Sequence, residues 1–349
     1  MKVLILGCGG FIGSHLINEM LKDDKFSITG IDVTDYKIKE HLYYPKFKFI
    51  KSDVYKYEHL RAAIRDHDLV IFLASICNPA LYIKDPIGTI NSNFTQPVRI
   101  VDLCTKYRTW LITFSTCEVY GRTISSYIGD DYSNPDFYIQ DEETTPYLLG
   151  PLQNQRWSYS NAKQLLDRYI YANGDHWCLP YTIIRPYNFF GSRMDYIPEH
   201  DGFGVPRVLA CFMKALLDRE PIKLVDGGEQ YRTITYIDDA IEAIMTIINN
   251  PDKSQGNIFN IANPENETTI RGLAEVTRSV YADISGDENY KTHPIESVDS
   301  GKFYGRGYED CDRRVPNIDR IKALGWEPKT NLENTMRKTL EFFYEFYKD

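Results

Sequence analysis

The sequence predicts an α/β protein: a doubly wound parallel sheet with a smaller C-terminal lobe. Three observations predict it. Short β-rich runs alternate with helical segments over the first 120 residues. A glycine-rich turn joins the first of those strands to the first helix. After about residue 190 the alternation gives way to interleaved Gly, Pro and charged residues. Strands separated by helices imply parallel pairing with right-handed crossovers.

The elements follow in order. Residues 2–6 are a first strand, and 11–21 have helical spacing with Ile12, Leu16, Ile17 and Met20 apolar. Strands follow at 27–33, with Asp32 near its end, and at 47–50, just before Asp53. A short helix at 57–65 leads to a strand at 69–74. A helix at 93–107, a strand at 110–115, a long helical stretch at 152–173 and a strand at 181–185 complete this half. Beyond it, 206–219 and 238–249 read as helices, while 191–206 and 284–317 read as loops covering a site. Thr330-Asn331-Leu332-Glu333 has the capping-box pattern and opens a final helix to about residue 348. Residues 1–189 read as a nucleotide-binding domain and 190–349 mainly as a second lobe. The segments interleave, so that one strand and one helix return to the first domain.

Composition narrows the function. A chain of 349 residues suggests about two domains. Lys and Arg number 40 against 49 Asp and Glu, a net charge of −9, which disfavours binding to a nucleic-acid backbone. No apolar run approaches the roughly 20 residues of a membrane helix. Gly7 to Gly10 interrupt the apolar N-terminus, which therefore reads as a strand and not a signal peptide. The 7 cysteines, at 8, 77, 104, 117, 178, 211 and 311, show no metal-type pairing. Their odd number and scatter fit reduced thiols in a cytoplasmic protein. The expectation is a soluble enzyme without metal, membrane or nucleic-acid partner.

Gly7-Cys8-Gly9-Gly10-Phe11-Ile12-Gly13 places glycines at 7, 10 and 13 between strand and helix. Such glycines permit a tight turn and close approach of backbone to a pyrophosphate, which the helix N-terminus then attracts. Asp32 ends the second strand 19 residues after Gly13. A carboxylate there accepts hydrogen bonds from ribose hydroxyls and repels a 2′-phosphate. The pair predicts a Rossmann-type domain that binds NAD rather than NADP, with Phe11 and Ile12 among the contacts. Asp53 and Val54 are candidates for the adenine edge; Asp53 reads equally as a helix N-cap.

Tyr159-Ser160-Asn161-Ala162-Lys163 puts Tyr and Lys at i and i+4, on one helix face. A buried ammonium beside a phenol favours the phenolate, which removes a hydroxyl proton. The alternative is a surface pair. Position favours chemistry: the pair falls about 40 residues after Ser115-Thr116-Cys117-Glu118-Val119-Tyr120-Gly121, at the end of the fifth strand.

Together with Arg185-Pro186-Tyr187-Asn188, these motifs resemble the extended short-chain dehydrogenase/reductase family of nucleotide-sugar enzymes, over essentially the whole chain. The resemblance implies NAD, oxidation of a sugar C4 hydroxyl, then elimination, epimerisation or decarboxylation. Dehydratases of the family usually carry Asp where this chain has Cys117, which counts against dehydration. Thr116-Cys117-Glu118, Gly204 to Phe212, Lys223 to Gly228 and Tyr308 to Pro316 resemble the UDP-glucuronate decarboxylase and UDP-apiose/UDP-xylose synthase branches. Cys77, in Ser75-Ile76-Cys77-Asn78-Pro79, and Cys117 resemble the synthases, in which both thiols lie in the site; otherwise each reads as a small buried hydrophobe.

The resemblance assigns roles. Tyr159, helped by Lys163 and Thr116, takes the C4 proton. Glu118 acts as general base or positions water. Arg314 binds the carboxylate or protonates the carbanion, with Arg313 a competing candidate. Cys77 and Cys117 assist ring contraction. Tyr82 and Arg156 face the sugar. Asn188, Arg207, Lys223, Arg232 and Tyr308 match positions contacting the uridine diphosphate, and Asp310 is a further match; each basic residue alone also reads as a solvated surface charge. A UDP-sugar substrate, a homodimer through the helices near 94–107 and 152–173, and convergence of Arg156, Arg207, Lys223, Arg232 and Arg314 are expected. No motif places the segment 122–156, or Trp157 after it. An NAD-dependent epimerase or dehydratase on another nucleotide sugar, or a non-catalytic NAD-sensing regulator, are the alternatives. The regulator has no need of Tyr159, Lys163 and Glu118.

Overall fold

The computed structural model describes residues 1–129, 131–197, 199–200, 207–303 and 309–347. Seven parallel strands form the main sheet: β1 (Lys2–Leu6), β2 (Ser27–Asp32), β3 (Phe47–Lys51), β4 (Leu69–Phe72), β5 (Trp110–Phe114), β6 (Tyr181–Pro186) and β7 (Asn257–Ile261). Their spatial order is β7-β6-β5-β4-β1-β2-β3. The order reverses between β1 and β4, and that switch point opens a crevice at the carboxyl ends of the strands.

The central strands β1, β4 and β5 are apolar on both faces because both faces are covered. Alternation then divides the side chains. Val3, Ile5, Ile71 and Ile112 pack into one buried layer, and Leu4, Leu6, Val70 and Leu111 into the other. The principal helices are α1 (Phe11–Met20), α2 (Leu60–Arg65), α3 (Gln96–Tyr107), α4 (Ser158–Trp177), α5 (Val208–Leu217), α6 (Ile237–Asn249), α7 (Ile270–Ser285) and α8 (Leu332–Tyr347). Leu16 and Ile17 of α1 and Ile241, Ile244 and Ile248 of α6 join the first layer. Ile100 and Cys104 of α3 and Leu166 and Ile170 of α4 join the second. A separate core forms the lobe: Leu209, Phe212, Met213 and Leu216 of α5 meet Leu273 and Val280 of α7 and Met336, Leu340 and Phe343 of α8.

Local chemistry moved several boundaries. The long helix begins at Ser158, after a 3₁₀ turn at Gln155–Trp157, not at 152, and runs on to Trp177. It stops where Cys178 takes a left-handed φ of 56°. A π-helical segment, Asn91–Thr95, leads into α3. The last helix is capped by Asn331, whose side chain accepts from the Asn334 N–H at 2.9 Å. Thr330, the expected capping-box residue, instead donates its hydroxyl to Asp239 at 3.1 Å. Asp53 is not a helix N-cap: α2 starts at Leu60, and Asp53 accepts from the Tyr55 N–H at 2.9 Å to close a turn. Among the described residues, no helix is long and apolar enough to cross a membrane, and no group of three His, Cys, Asp or Glu is placed to hold a metal.

Candidate active site

The glycine loop is dictated by contact. Gly7 has φ 89°, and a Cβ there would lie 2.6 Å from the Ala74 backbone N. Gly9, absent from the spaced motif, proves equally constrained: its Cβ would meet Thr34 O at 2.1 Å. The Gly9 N–H donates to Asp32 Oδ2 at 2.9 Å, and the Thr34 N–H to Oδ1 at 3.0 Å. A run of four glycines in seven positions was the available signal for it. Helix α1 opens after Gly10 with no side-chain cap, so its first-turn N–H groups and positive dipole end are available to an anion. Phe11, Ile12 and Gly13 form that first turn. Val54 is buried. The bare backbone cradle, the uncapped helix and the anchored Asp32 fit the pyrophosphate and ribose of NAD.

Tyr159 and Lys163 sit one turn apart on α4, and both are buried. The Lys163 ammonium donates to Phe114 O at 2.8 Å, at the end of β5. The Tyr159 ring stacks on Tyr82, with centroids 4.5 Å apart and planes 5° from parallel. Cys77 Sγ lies 3.3 Å from Tyr159 Oη and 3.2 Å from Ser75 Oγ. Burial, with Cys77 beside it, raises the Tyr159 phenol well above its ordinary range. Burial lowers the Lys163 ammonium. One turn beyond Lys163, Asp167 accepts from Ser115 Oγ at 2.8 Å and from Arg185 at 3.1 Å. Arg185 also donates to Tyr120 Oη and Tyr147 Oη, at 2.9 and 2.7 Å. This buried network fixes the strand end from which Thr116 emerges. Its signal in sequence was an acid four residues after Lys163.

Across the crevice, three guanidinium groups meet two carboxylates. Arg156 grips Glu118 with two hydrogen bonds of 2.6 and 2.9 Å. Arg314 approaches Glu118 to 3.5 Å and Asp310 to 3.7 Å. Arg232 donates to Asp310 at 2.5 Å. Burial opposes ionisation of Glu118, but Arg156 and Arg314 outweigh it and hold the carboxyl below its ordinary value. Burial likewise opposes the charge on Arg314, and Glu118 beside it raises the group well above its usual range. Nε and Nη2 of Arg314 are buried without a hydrogen-bond acceptor among the described residues. Thr116 Oγ1 accepts from the Glu118 N–H at 3.2 Å, so Thr116 caps the turn carrying Glu118. Cys117 opens that turn and is buried in the core, and burial raises its thiol.

The remaining expected residues divide. Asn188 has φ 36° and donates to Thr233 O at 2.9 Å. Arg207 binds Asp195 at 3.0 Å and lies 5.8 Å from the Phe11 ring centroid, at the mouth of the glycine loop. Lys223 stands exposed on the lobe strand Ile222–Val225; among the described residues Arg156, Arg232 and Arg314 meet at Glu118 and Asp310, while Arg207 acts with Arg156 on Tyr82. The adjacent arginines separate cleanly, because Arg313 turns away to a bidentate bond with Glu267 at 2.7 and 2.7 Å. Tyr308 lies outside the described residues. The unplaced segment is tied down by strand Ile139–Gln140, which pairs with Val315–Pro316, and by Glu142, which accepts from the Asn260 N–H at 2.7 Å.

A dinucleotide cradle facing a Tyr–Lys pair defines an NAD-dependent enzyme of the short-chain dehydrogenase/reductase class. Residues 3–262 match the model of the NAD dependent epimerase/dehydratase family, and the chain belongs to that family. It is 44% identical to UDP-D-apiose/UDP-D-xylose synthase 1 of Arabidopsis thaliana, over 100% of this chain and 92% of that one. UDP-D-apiose/UDP-D-xylose synthase of Oryza sativa subsp. japonica is also 44% identical, over 100% and 90%. Among solved structures, the PbgP3 protein of Burkholderia pseudomallei superposes with a TM-score of 0.84 at 30% identity, covering 99% of this chain and 96% of that one. UDP-glucuronic acid 4-epimerase of Bacillus cereus, solved with UDP-glucuronic acid and NAD, shares the fold with a TM-score of 0.80 at 21% identity, covering 99% and 100%.

Proposed function

We propose that this protein decarboxylates UDP-glucuronate by oxidation at C4, and that re-reduction of the 4-keto pentose then yields UDP-xylose directly and UDP-apiose after ring contraction. One observation carries the reading: a buried guanidinium, Arg314, has two nitrogens without a hydrogen-bond acceptor among the described residues, beside two carboxylates already shared among three arginines. A carboxylate on the substrate completes that set. The 44% identity to two UDP-apiose/UDP-xylose synthases supports the product class.

NAD, held by the glycine loop and Asp32, supplies acceptance and return of a hydride. Tyr159 removes the C4 hydroxyl proton, and the Lys163 ammonium favours the phenolate that this requires. The resulting 4-keto uronate is a β-keto acid. Its C5–carboxylate bond breaks, and the electron pair passes into the C4 ketone as carbon dioxide leaves. Against burial, Glu118 beside it favours the charged form of Arg314, which supports carboxylate binding over proton donation. Glu118 is ionised but a weak base while Arg156 grips it; transfer of Arg156 to the substrate frees it for proton transfer. Cys77, against the Tyr159 hydroxyl, is placed for the retro-aldol and aldol steps, with Cys117 an uncharged wall.

Incubation with UDP-glucuronate and NAD, read by mass spectrometry and product NMR, tests the reading. Loss of carbon dioxide with a branched pentose among the products is expected; epimerisation without that loss overturns it. We further propose a cytoplasmic homodimer through α3 and α4. Leu165 and Tyr171 on α4, and Ile87 and Ile90 before α3, expose apolar surface for it. Sedimentation at micromolar concentration should give twice the mass of the chain.

A further inference from the structure

Glu309 and Asp310 are neighbours in the chain, yet their carboxylates serve opposite sides. Asp310 turns inward to Arg232 and Arg314. Glu309 turns the other way and gathers three points of the stretch 122–157. It accepts from Trp157 Nε1 at 2.7 Å, from Asn154 Nδ2 at 3.0 Å and from Arg122 Nη1 at 3.1 Å. The approach is so close that a Cβ on Gly150 would meet Glu309 Oε2 at 2.1 Å. Trp157 is buried, and it stands directly between Arg156 and the first turn of α4, which carries Tyr159. Arg156 in turn lies 5.6 Å from the centroid of Tyr82, the ring stacked on Tyr159.

We propose that Glu309 is a positioning residue, which through the Trp157 indole fixes Arg156 in register with Glu118, Tyr82 and the substrate. The inference rests on the substrate reading above for its kinetic arm only. An indole N–H buried beside a carboxylate is held by a charge-assisted hydrogen bond, and its loss frees the turn on which Arg156 is mounted. The Glu309–Asp310 pair thereby links the stretch 122–157 to the arginine cluster through two consecutive residues. Glu309 is assigned no proton transfer.

The test is a double-mutant cycle with a spectroscopic arm. Glu309→Ala and Trp157→Phe should each raise KM for UDP-glucuronate about tenfold, while kcat changes less than about threefold. Glu309→Gln keeps an acceptor for the indole and should recover most of that loss. In an Arg156→Ala background, Glu309→Ala should add less than about twofold. Equal losses in both backgrounds, or a lowered unfolding midpoint with unchanged KM, overturn the proposal. If Glu309→Ala does not fold, Trp157→Phe and Glu309→Gln carry the same cycle. The Trp157 emission, taken as the difference from Trp157→Phe, should shift to the red in Glu309→Ala and stay in place in Glu309→Gln. An unmoved emission also overturns it. If the wild-type protein releases no carbon dioxide from UDP-glucuronate, the substrate reading falls, and the emission arm alone decides on Glu309.

Discussion

Arg156 and Glu118 form a two-point ion pair of 2.6 and 2.9 Å, with side chains only 3% and 15% exposed. Removing one partner leaves a buried charge without compensation. Glu118→Gln should therefore lower stability by about 3 kcal/mol, measured as denaturant midpoint times slope. An unchanged midpoint would show that the pair is hydrated and not sealed.

Asp310 links the same cluster to acid stability. Burial opposes its ionisation, but Arg232, Arg314 and Arg156 lower the carboxyl from 3.8 to about 2. A depressed carboxyl contributes stability above its unfolded value and loses it as pH falls through the folded one. The contribution is about 2 kcal/mol above pH 4 and vanishes toward pH 2. The stability gap between wild type and Asp310→Asn should shrink over that window; a gap constant with pH refutes the assignment.

Tyr159→Phe keeps the ring that stacks on Tyr82 and removes only the hydroxyl. Loss of a positioned proton acceptor costs about 10²–10⁴ in rate. Single-turnover formation of reduced cofactor should slow by about that factor, while UDP-glucuronate affinity measured by calorimetry holds. A parallel collapse in affinity would make the hydroxyl a binding group.

The two site thiols differ in access. Cys77 is exposed and Cys117 is buried with its thiol raised. Iodoacetamide should alkylate Cys77 well before Cys117, read by peptide mass spectrometry. Cys77→Ala should preserve carbon dioxide release and suppress the branched pentose; equal loss of both activities removes Cys77 from ring contraction.

A clamp ties α1 and the turn after β2 to residues 192–193. Lys37 Nζ donates to Arg193 O at 2.6 Å, and Arg193 Nη1 returns a bond to Lys37 O at 3.1 Å. His15 Nε2 donates to Ser192 O at 2.9 Å, with Arg193 3.4 Å from its other ring nitrogen. Burial lowers His15 to about 4, so the clamp does not change charge near neutral pH. Arg193→Ala should release NAD about tenfold faster, followed by cofactor fluorescence, with turnover restored at saturating NAD. An unaltered release rate excludes a retaining role.

Much of this was legible from residues alone. The six strands from β1 to β6 were readable because each is a short β-rich run bounded by turns. The strand Asn257–Ile261 was not, since two asparagines in five residues blur its apolar run. Helix α7 was not read at all: it lies between the helix expected at 238–249 and the loop expected at 284–317. Gly7, Asp32, Tyr159 and Lys163 were visible as spaced motifs, because backbone geometry ties each to a strand end or a helix face. The grip of Arg156 on Glu118 was not visible, since it joins residues 38 positions apart through side chains. The place of Lys223 was not visible either: charge and motif say nothing of which face of a lobe strand a side chain takes.

β7 has a consequence for how the chain is made. It pairs with β6 and forms one border of the main sheet, yet it lies beyond the first helices of the lobe in sequence. On the ribosome, β6 emerges with an open row of backbone donors and acceptors, a template for wrong partners. That row stays open until residue 261, about three quarters of the way along the chain. The cofactor domain thus reaches its full width only after part of the lobe has been synthesised.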